Sequence, residues 1–135
     1  MPLNDVDRAA IEAVLTRQSA AWVAGNAGAF AADAQEGVLF TNVVGMFSIG
    51  RAPFIAQHEH IFSTIYKGSR MEQEIVAITL VRPDVAIVDT LTKVVDAPHR
   101  PPGVELIDGA LRSRLDKLWS TMEASGRWRH FTTSR

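Results

Sequence analysis

The chain has 135 residues and a formal charge of −1, with 47% hydrophobic and 21% charged residues. These values are typical of one folded globular domain, so we expect a single domain over residues 1–135 and exclude intrinsic disorder. The nearly balanced charge offers no basic face of the kind that nucleic-acid binding uses. The chain contains no cysteine, which excludes disulfides and thiolate metal sites.

The N-terminal residues carry neither the basic start nor the apolar run of a signal peptide. Nowhere does an apolar stretch approach the roughly 20 residues that a membrane-spanning helix needs. We therefore expect a cytoplasmic protein with no membrane partner and no nucleic-acid partner.

The first elements in chain order are helical. Asn4 or Asp5 can cap a helix start, apolar residues then recur at helical spacing, and Gly25-Asn26 is a typical helix end. The elements predicted to follow are a short helix over 27–34 and strand segments over 38–44 and 46–49.

A third helix is predicted to begin near Pro53 and to end at Gly68. Its apolar stripe comprises Phe54, His58, Ile61, Phe62 and Ile65. Two long strands, over 72–81 and 84–95, flank a turn at Arg82-Pro83-Asp84. The second is continuously apolar over 85–88, which favours a strand covered on both faces.

Residues 111–124 fit two structures. Leu111, Leu115, Leu118, Trp119 and Met122 recur at helical spacing, which favours a helix. The turn signal Ser125-Gly126 that follows instead favours a hairpin into a last strand. The residues alone leave both alternatives open.

Several short motifs occur in a specific order along nearly the whole chain. They are Ala21-Trp22, Gly25-Asn26-Ala27, Phe40-Thr41-Asn42-Val43, Gly50-Arg51, Tyr66-Lys67-Gly68-Ser69, Arg82-Pro83-Asp84-Val85-Ala86 and Leu111-Arg112-Ser113-Arg114-Leu115. Together with the order of elements, they resemble the SgcJ/EcaC-type (SnoaL-like) branch of the nuclear transport factor 2-like (NTF2-like) superfamily. The resemblance implies an α+β fold in which a cone-shaped, curved antiparallel sheet packs with N-terminal helices around a pocket. It also implies that residues 111–124 form a strand.

The same resemblance implies a function for the pocket. We expect a small hydrophobic molecule as the partner and isomerase, dehydratase or cyclase chemistry. The alternative is a non-catalytic ligand-binding or dimeric assembly module, because relatives commonly form homodimers through the outer face of the long sheet. We expect no cofactor, since the sequence lacks a glycine-rich dinucleotide-binding loop.

Two titratable residues are candidates for catalysis. His58 lies on the apolar stripe of its helix, so we expect it to border the pocket as an acid or base. The alternative is a buried histidine that bonds a backbone carbonyl or a carboxylate. Asp89 interrupts an apolar strand and would pair with His58 if it faced the pocket, whereas solvent exposure or an ion pair with Lys93 is the alternative.

Further side chains are candidates for ligand binding. They are Gln18, Trp22, Asn42, Phe47, Phe62 and Trp119, and for each aromatic residue the alternative is a place in the core. Asn42 takes the position of the carboxylate base in the steroid isomerase branch, so that proton abstraction is not carried over; its alternative role is to satisfy a turn. We expect no metal, because His58 and His60 point to different sides of a helix.

Overall fold

The computed structural model describes residues 4–42, 46–99, 106–107, 109–120 and 129–134. Within them the helices are α1 (Asp5–Ala24), α2 (Ala27–Phe30) and α3 (Arg51–Ser63). The strands are β1 (Ala34–Thr41), β2 (Phe47–Ile49), β3 (Arg70–Arg82), β4 (Val85–Val95), β5 (Leu111–Ser120) and β6 (Arg129–Ser134). The expected α+β architecture of N-terminal helices and a curved, mainly antiparallel sheet is confirmed.

Helix α1 has the ends that its sequence predicts. The Asn4 side chain accepts a hydrogen bond from the Asp7 backbone N–H at 2.8 Å, which satisfies one of the free amides of the first turn. At the other end Gly25 adopts φ 66°, a left-handed conformation that glycine tolerates and that closes the helix. The predicted short second helix is confirmed for Ala27–Phe30 only.

The strands form one sheet in the order β2-β1-β6-β5-β4-β3. Neighbours are antiparallel except β1 and β6, which run parallel. Helical periodicity over 111–124 is misleading: Leu111 pairs with Val94 and Trp119 with Ala86, in an uninterrupted antiparallel register. The strand implied by the family resemblance is confirmed for Leu111–Ser120. Residues 121–128, including the Ser125-Gly126 turn signal, lie outside the described residues.

The two faces of the sheet differ in burial. On β4, Ala86 and Val88 are buried on the inner face, which packs against the helices, and Thr90, Thr92 and Val94 continue that face. On the outer face Ile87 is 38% exposed and Leu91 47%. The prediction that residues 85–88 are covered on both faces is therefore wrong for the described part of the chain, because Ile87 lies on the open face.

The apolar core consists of two clusters. The first, the aromatic cluster, surrounds Trp22 and includes Phe30, Phe54, Phe62 and Tyr66. The second, the Trp119 cluster, packs Trp119 against Ile11, Val14, Leu15, Ala86 and Val88. Because α1 and β4 each contribute to both clusters, these elements hold the two parts of the core together. In the described part of the chain no helix is long and apolar enough to cross a membrane.

Candidate functional site

A layer of polar side chains separates the two apolar clusters on every element that spans both. On α1, Gln18 lies between Leu15 and Ala21, and on β3, Gln73 lies between Met71 and Ile75. The full set, which we call the polar layer, is Gln18, Gln73, Thr90, Thr92, Ser113 and Lys117. Strand alternation places the strand residues of this layer together on the inner face.

Lys117 is the most unusual member, because its side chain is only 2% exposed. Its Nζ donates hydrogen bonds to Gln18 Oε1 at 2.9 Å and to Gln73 Oε1 at 3.3 Å. Gln73 Nε2 also donates to Gln18 Oε1 at 3.1 Å, so the three side chains form a closed ring. A buried ammonium group is costly unless such acceptors surround it, which explains why both amide oxygens point at Lys117.

Three buried polar atoms of the layer have no hydrogen-bond partner among the described residues. They are Gln18 Nε2, Thr92 Oγ1 and Ser113 Oγ. Gln73, Thr92 and Ser113 occupy one row across β3, β4 and β5, and side chains directly opposite in such a row are about 5 Å apart at Cβ. Each unsatisfied buried group costs about 1–3 kcal/mol, so the layer is suited to bind polar atoms from outside the chain.

An open cleft of about 530 Å³ leads from the surface to this layer between α1 and β3. Its lining residues are Arg8, Glu12, Leu15, Thr16, Ser19, Met71, Glu72, Gln73 and Ile75. Gln73 is shared by the cleft and the polar layer, and Gln18 and Lys117 lie directly behind it. The half-buried Gln73 side chain therefore separates the cleft from the buried ammonium group.

A second depression, of about 500 Å³, lies on the outer face of the sheet. Glu72 and Glu74 of β3, Leu91 and Lys93 of β4, and Arg112 of β5 surround it. The inward-facing row of Gln73, Thr92 and Ser113 contributes its floor. The outer depression and the polar layer therefore lie on opposite sides of the same strand segments.

The structure places His58 within the aromatic cluster. Its ring is 2% exposed, and its centroid lies 4.4 Å from that of Phe54 and 4.7 Å from that of Phe30. Nδ1 lies 2.8 Å from the Phe54 carbonyl oxygen, and because a carbonyl can only accept, Nδ1 carries the proton. His58 lines neither cleft described above, and its catalytic role stays a prediction.

The structure does not bring Asp89 together with His58. Asp89 shares the outer face of β4 with Ile87 and Leu91, whereas the helices cover the inner face. It pairs in register with Ala77 and Asp116. The two predicted catalytic residues therefore belong to opposite sides of the sheet.

Among the predicted ligand-binding residues, only Gln18 belongs to the polar layer. Trp22 and Phe62 are buried together in the aromatic cluster, where the Trp22 Nε1–H donates to Ser69 Oγ at 2.8 Å. Trp119 is fully buried in its own cluster. These three aromatic residues lie in the core, which was the predicted alternative to a ligand-binding role.

The last two predicted ligand residues lie at the β1–β2 hairpin. Asn42 Oδ1 accepts from the Met46 backbone N–H at 2.8 Å, and the Asn42 N–H donates to the Met46 carbonyl. Asn42 thus performs the turn role. Phe47 is 59% exposed on β2, and the structure brings neither residue to the polar layer.

Sequence reasoning missed Gln73 and Lys117. Once residues 111–120 are recognised as a strand, Lys117 falls on the same face as Ser113 and the buried Trp119. Its inward direction therefore follows from strand alternation. The competing helical pattern concealed this signal. Among the described residues, no group of three or more histidine, aspartate or glutamate side chains is arranged to hold a metal ion.

No protein-family model and no curated protein sequence matches the chain. Solved structures do match. A domain of unknown function with a cystatin-like fold from Nostoc punctiforme aligns at TM-score 0.80 and 22% identity, covering 97% of this chain and 76% of that one. A putative scytalone dehydratase from Novosphingobium aromaticivorans aligns at TM-score 0.75 and 20% identity, with coverages of 95% and 81%.

An NTF2-like protein of unknown function from Shewanella oneidensis aligns at TM-score 0.73 and 15% identity, covering 94% of this chain and 96% of that one. The chain has an NTF2-like fold. At these identities the likeness concerns the fold alone, so the function of this NTF2-like chain has to be argued from its own polar layer and cleft.

The closed ring of the polar layer predicts a measurable coupling. Replacing Gln18 with leucine removes an acceptor from the buried ammonium group, and hydrogen bonds to charged groups contribute about 1.5–3 kcal/mol. We therefore expect Gln18→Leu to lower the free energy of unfolding in urea by that amount.

The matched control is the double variant Gln18→Leu/Lys117→Met, in which the charge is removed together with its acceptor. It should be less destabilised than the sum of the two single variants. Strict additivity of the three measurements would contradict the coupling.

Proposed function

We propose that this NTF2-like chain binds a small hydrophobic molecule that enters between α1 and β3 and reaches the polar layer. The observation that carries the proposal is the combination of an open cleft of about 530 Å³ with unsatisfied buried polar atoms on Gln18, which bonds the cleft residue Gln73, and on Thr92 and Ser113, which continue the strand row of Gln73. Ligand-binding sites combine apolar wall residues with placed polar groups, and Leu15, Met71 and Ile75 are the apolar residues of this cleft.

The apolar part of the cleft wall supports a ligand with a hydrophobic portion, whereas six of the nine lining residues are polar or charged. Leu15, Met71 and Ile75 contribute apolar surface to the cleft, and Leu15 and Ile75 also pack with the Trp119 cluster. Apolar surface removed from water contributes about 25 cal/mol per Å². The cleft therefore supplies affinity through burial, and the polar layer supplies orientation.

For chemistry, the proposal is isomerisation, dehydration or cyclisation of the bound molecule. The sequence resemblance to the SgcJ/EcaC-type branch supports this class, and one structural neighbour is named as a putative scytalone dehydratase. His58 as acid or base is retained as a prediction, whereas Asp89 as its partner is not, because Asp89 lies on the outer face of β4. The alternative within the same cleft is binding without turnover.

A bulky substitution in the cleft tests whether the ligand enters between α1 and β3. Thr16 is exposed and lines the cleft, so Thr16→Trp should fill the opening and weaken binding of the apolar probe 2-ethylnaphthalene at least tenfold, about 1.4 kcal/mol. The probe's dissociation constant is measured by fluorescence or by NMR titration.

Ala13→Trp is the matched control, since Ala13 is exposed on the same helix and does not line the cleft. It should leave the probe's affinity unchanged. Equal affinity in both variants would show that the probe does not enter between α1 and β3.

The predicted acid–base role of His58 is tested by His58→Gln with a panel of hydrophobic ring ketones and alcohols, in which products are followed by mass spectrometry. The prediction is a loss of turnover much larger than the change in dissociation constant, because acid–base groups typically contribute about 10²–10⁴-fold to rate. Unchanged turnover per folded molecule, accompanied by lower stability, would assign His58 to packing alone.

A second function, assembly of a homodimer, is favoured by the outer face of the sheet. Ile87 and Leu91 are exposed apolar residues on the outer face of β4, with Asp89 between them. Glu72 and Glu74 on β3 lie to one side and Arg112 on β5 lies to the other. A two-fold axis parallel to β4 would place β3 of one copy over β5 of the other, so acidic residues would meet a basic one. This charge complementarity, together with the two exposed apolar residues, supports the assembly.

This assembly predicts that Leu91→Asp shifts the chain from dimer to monomer in sedimentation velocity, because the substitution replaces one of the two exposed apolar residues of the contact face with a second carboxylate beside Asp89. Val23→Asp, at an exposed apolar position on α1, is the control and should leave the dimer intact. A wild-type chain that is monomeric at all concentrations would exclude the assembly function.

A further inference from the structure

Gln73 is the least firmly held member of the Lys117–Gln18–Gln73 ring. It lies on β3, the last strand in the sheet order, and its side chain is half-buried whereas Gln18 and Lys117 are buried. Its two hydrogen bonds, 3.1 and 3.3 Å, are longer than the 2.9 Å bond between Lys117 and Gln18. A rotation of the Gln73 side chain into the cleft would open a path from the cleft to Gln18 and Lys117.

The position that Gln73 would vacate is suited to an acceptor. Lys117 Nζ donates to Gln73 Oε1 there, and the buried Gln18 Nε2 is a further donor, without a partner among the described residues. The Thr92 and Ser113 hydroxyls lie in the same cross-strand row as Gln73 and can also donate. Gln18 Oε1, by contrast, already accepts two hydrogen bonds. A ligand amine would face an ammonium group, whereas a ligand oxygen would face donors.

We infer that Gln73 is a displaceable plug, and that the ligand presents a carbonyl-type oxygen, as in a ketone or a carboxylate, which replaces Gln73 Oε1 as the acceptor for Lys117 Nζ. The inference rests on the proposed ligand-binding function and specifies the chemistry of its ligand. The apolar part of the molecule lies in the cleft against Leu15, Met71 and Ile75. Lys117 is thus a binding residue, and Gln73 controls access to it.

The plug explains why an amide occupies this position. The Gln73 carboxamide satisfies Lys117 when no ligand is bound, so the buried ammonium group keeps its acceptors in both states. A neutral amide is also easier to displace than a carboxylate, because a carboxylate would add the Coulomb attraction of an opposite charge to its hydrogen bond with the buried ammonium group. A glutamate at position 73 would therefore close the site.

The test uses three probes of nearly the same shape: 2-acetylnaphthalene, 2-naphthoate and 2-ethylnaphthalene, which carry a ketone, a carboxylate and no oxygen. Dissociation constants are measured for the wild-type chain, Gln73→Ala, Gln73→Glu and Lys117→Met. Gln57→Glu, on α3 and lining neither cleft, is the matched control for the charge introduced at position 73.

In the wild-type chain at least one oxygenated probe should bind about tenfold or more tightly than 2-ethylnaphthalene, since a charge-assisted hydrogen bond contributes about 1.5–3 kcal/mol. Gln73→Ala should strengthen the oxygenated probes about threefold or more by removing the plug. Gln73→Glu should weaken them by at least as much, and Gln57→Glu should leave all three unchanged. Lys117→Met should remove the preference for oxygen. Tighter binding of the naphthoate than of the ketone would identify the ligand as an acid, and the reverse order as a ketone.

The outcomes separate this inference from the function on which it rests. If all three probes bind with equal affinity in the wild-type chain and in Gln73→Ala, the inference is overturned and the hydrophobic binding function stands. If none binds, both are overturned. If circular dichroism shows that Lys117→Met does not fold, the comparison of Gln73→Ala with Gln73→Glu decides. Equal affinities of these two variants for the oxygenated probes would overturn the inference that Gln73 is a displaceable plug.

Discussion

The structure depends on the accommodation of one buried cation. Lys117 reaches the inner face of the sheet with a side chain that is almost wholly withdrawn from water, and a charge in such surroundings is tolerated only where acceptors surround it. Two of its acceptors come from Gln18 on α1 and Gln73 on β3, the two elements that flank the cleft. The requirement for both glutamines therefore determines how α1 and the edge of the sheet approach one another at the entrance to the interior.

The polar layer also divides the core into parts with different roles. The aromatic cluster packs Trp22, Phe30, Phe54 and Phe62 edge-to-face and stacked, and such ring pairs contribute about 0.5–1.5 kcal/mol each beyond their buried area. His58 takes part in this packing with its Nδ1–H on the Phe54 carbonyl, an arrangement that satisfies a polar atom inside an apolar cluster. The polar layer differs because several of its atoms remain unsatisfied by the described residues. The groups available to a ligand therefore belong to the polar layer, and the predicted catalytic residue His58 lies in the neighbouring aromatic cluster.

The features that sequence reasoning predicted are those with local causes. A cap residue at Asn4, a left-handed glycine at Gly25 and a proline turn at Pro83 each act within a few residues, so α1 and the β3–β4 hairpin could be placed from the chain alone. Lys117 depends on a long-range cause: its direction is determined by antiparallel pairing of β5 with β4, where it faces Val88. Local periodicity favoured a helix there, whereas the Ser125-Gly126 turn signal and the order of motifs along the chain indicated the strand. A candidate site built across three elements could not be recognised until that pairing was known.

Ligand binding and assembly use the same strands from opposite sides. Gln73, Thr92 and Ser113 direct their side chains into the polar layer, while the backbone between them underlies the outer depression bordered by Glu72 and Arg112. A partner copy on the outer face would therefore leave the cleft between α1 and β3 open, because that cleft lies at the inner face and along the edge of the sheet. Strand alternation assigns successive residues of β3 to one face and then the other, so the two functions share only the edge of the sheet, where Glu72 borders both the cleft and the outer depression. The same three-stranded segment can thus form one wall of a ligand-binding cleft and the contact face of an interface.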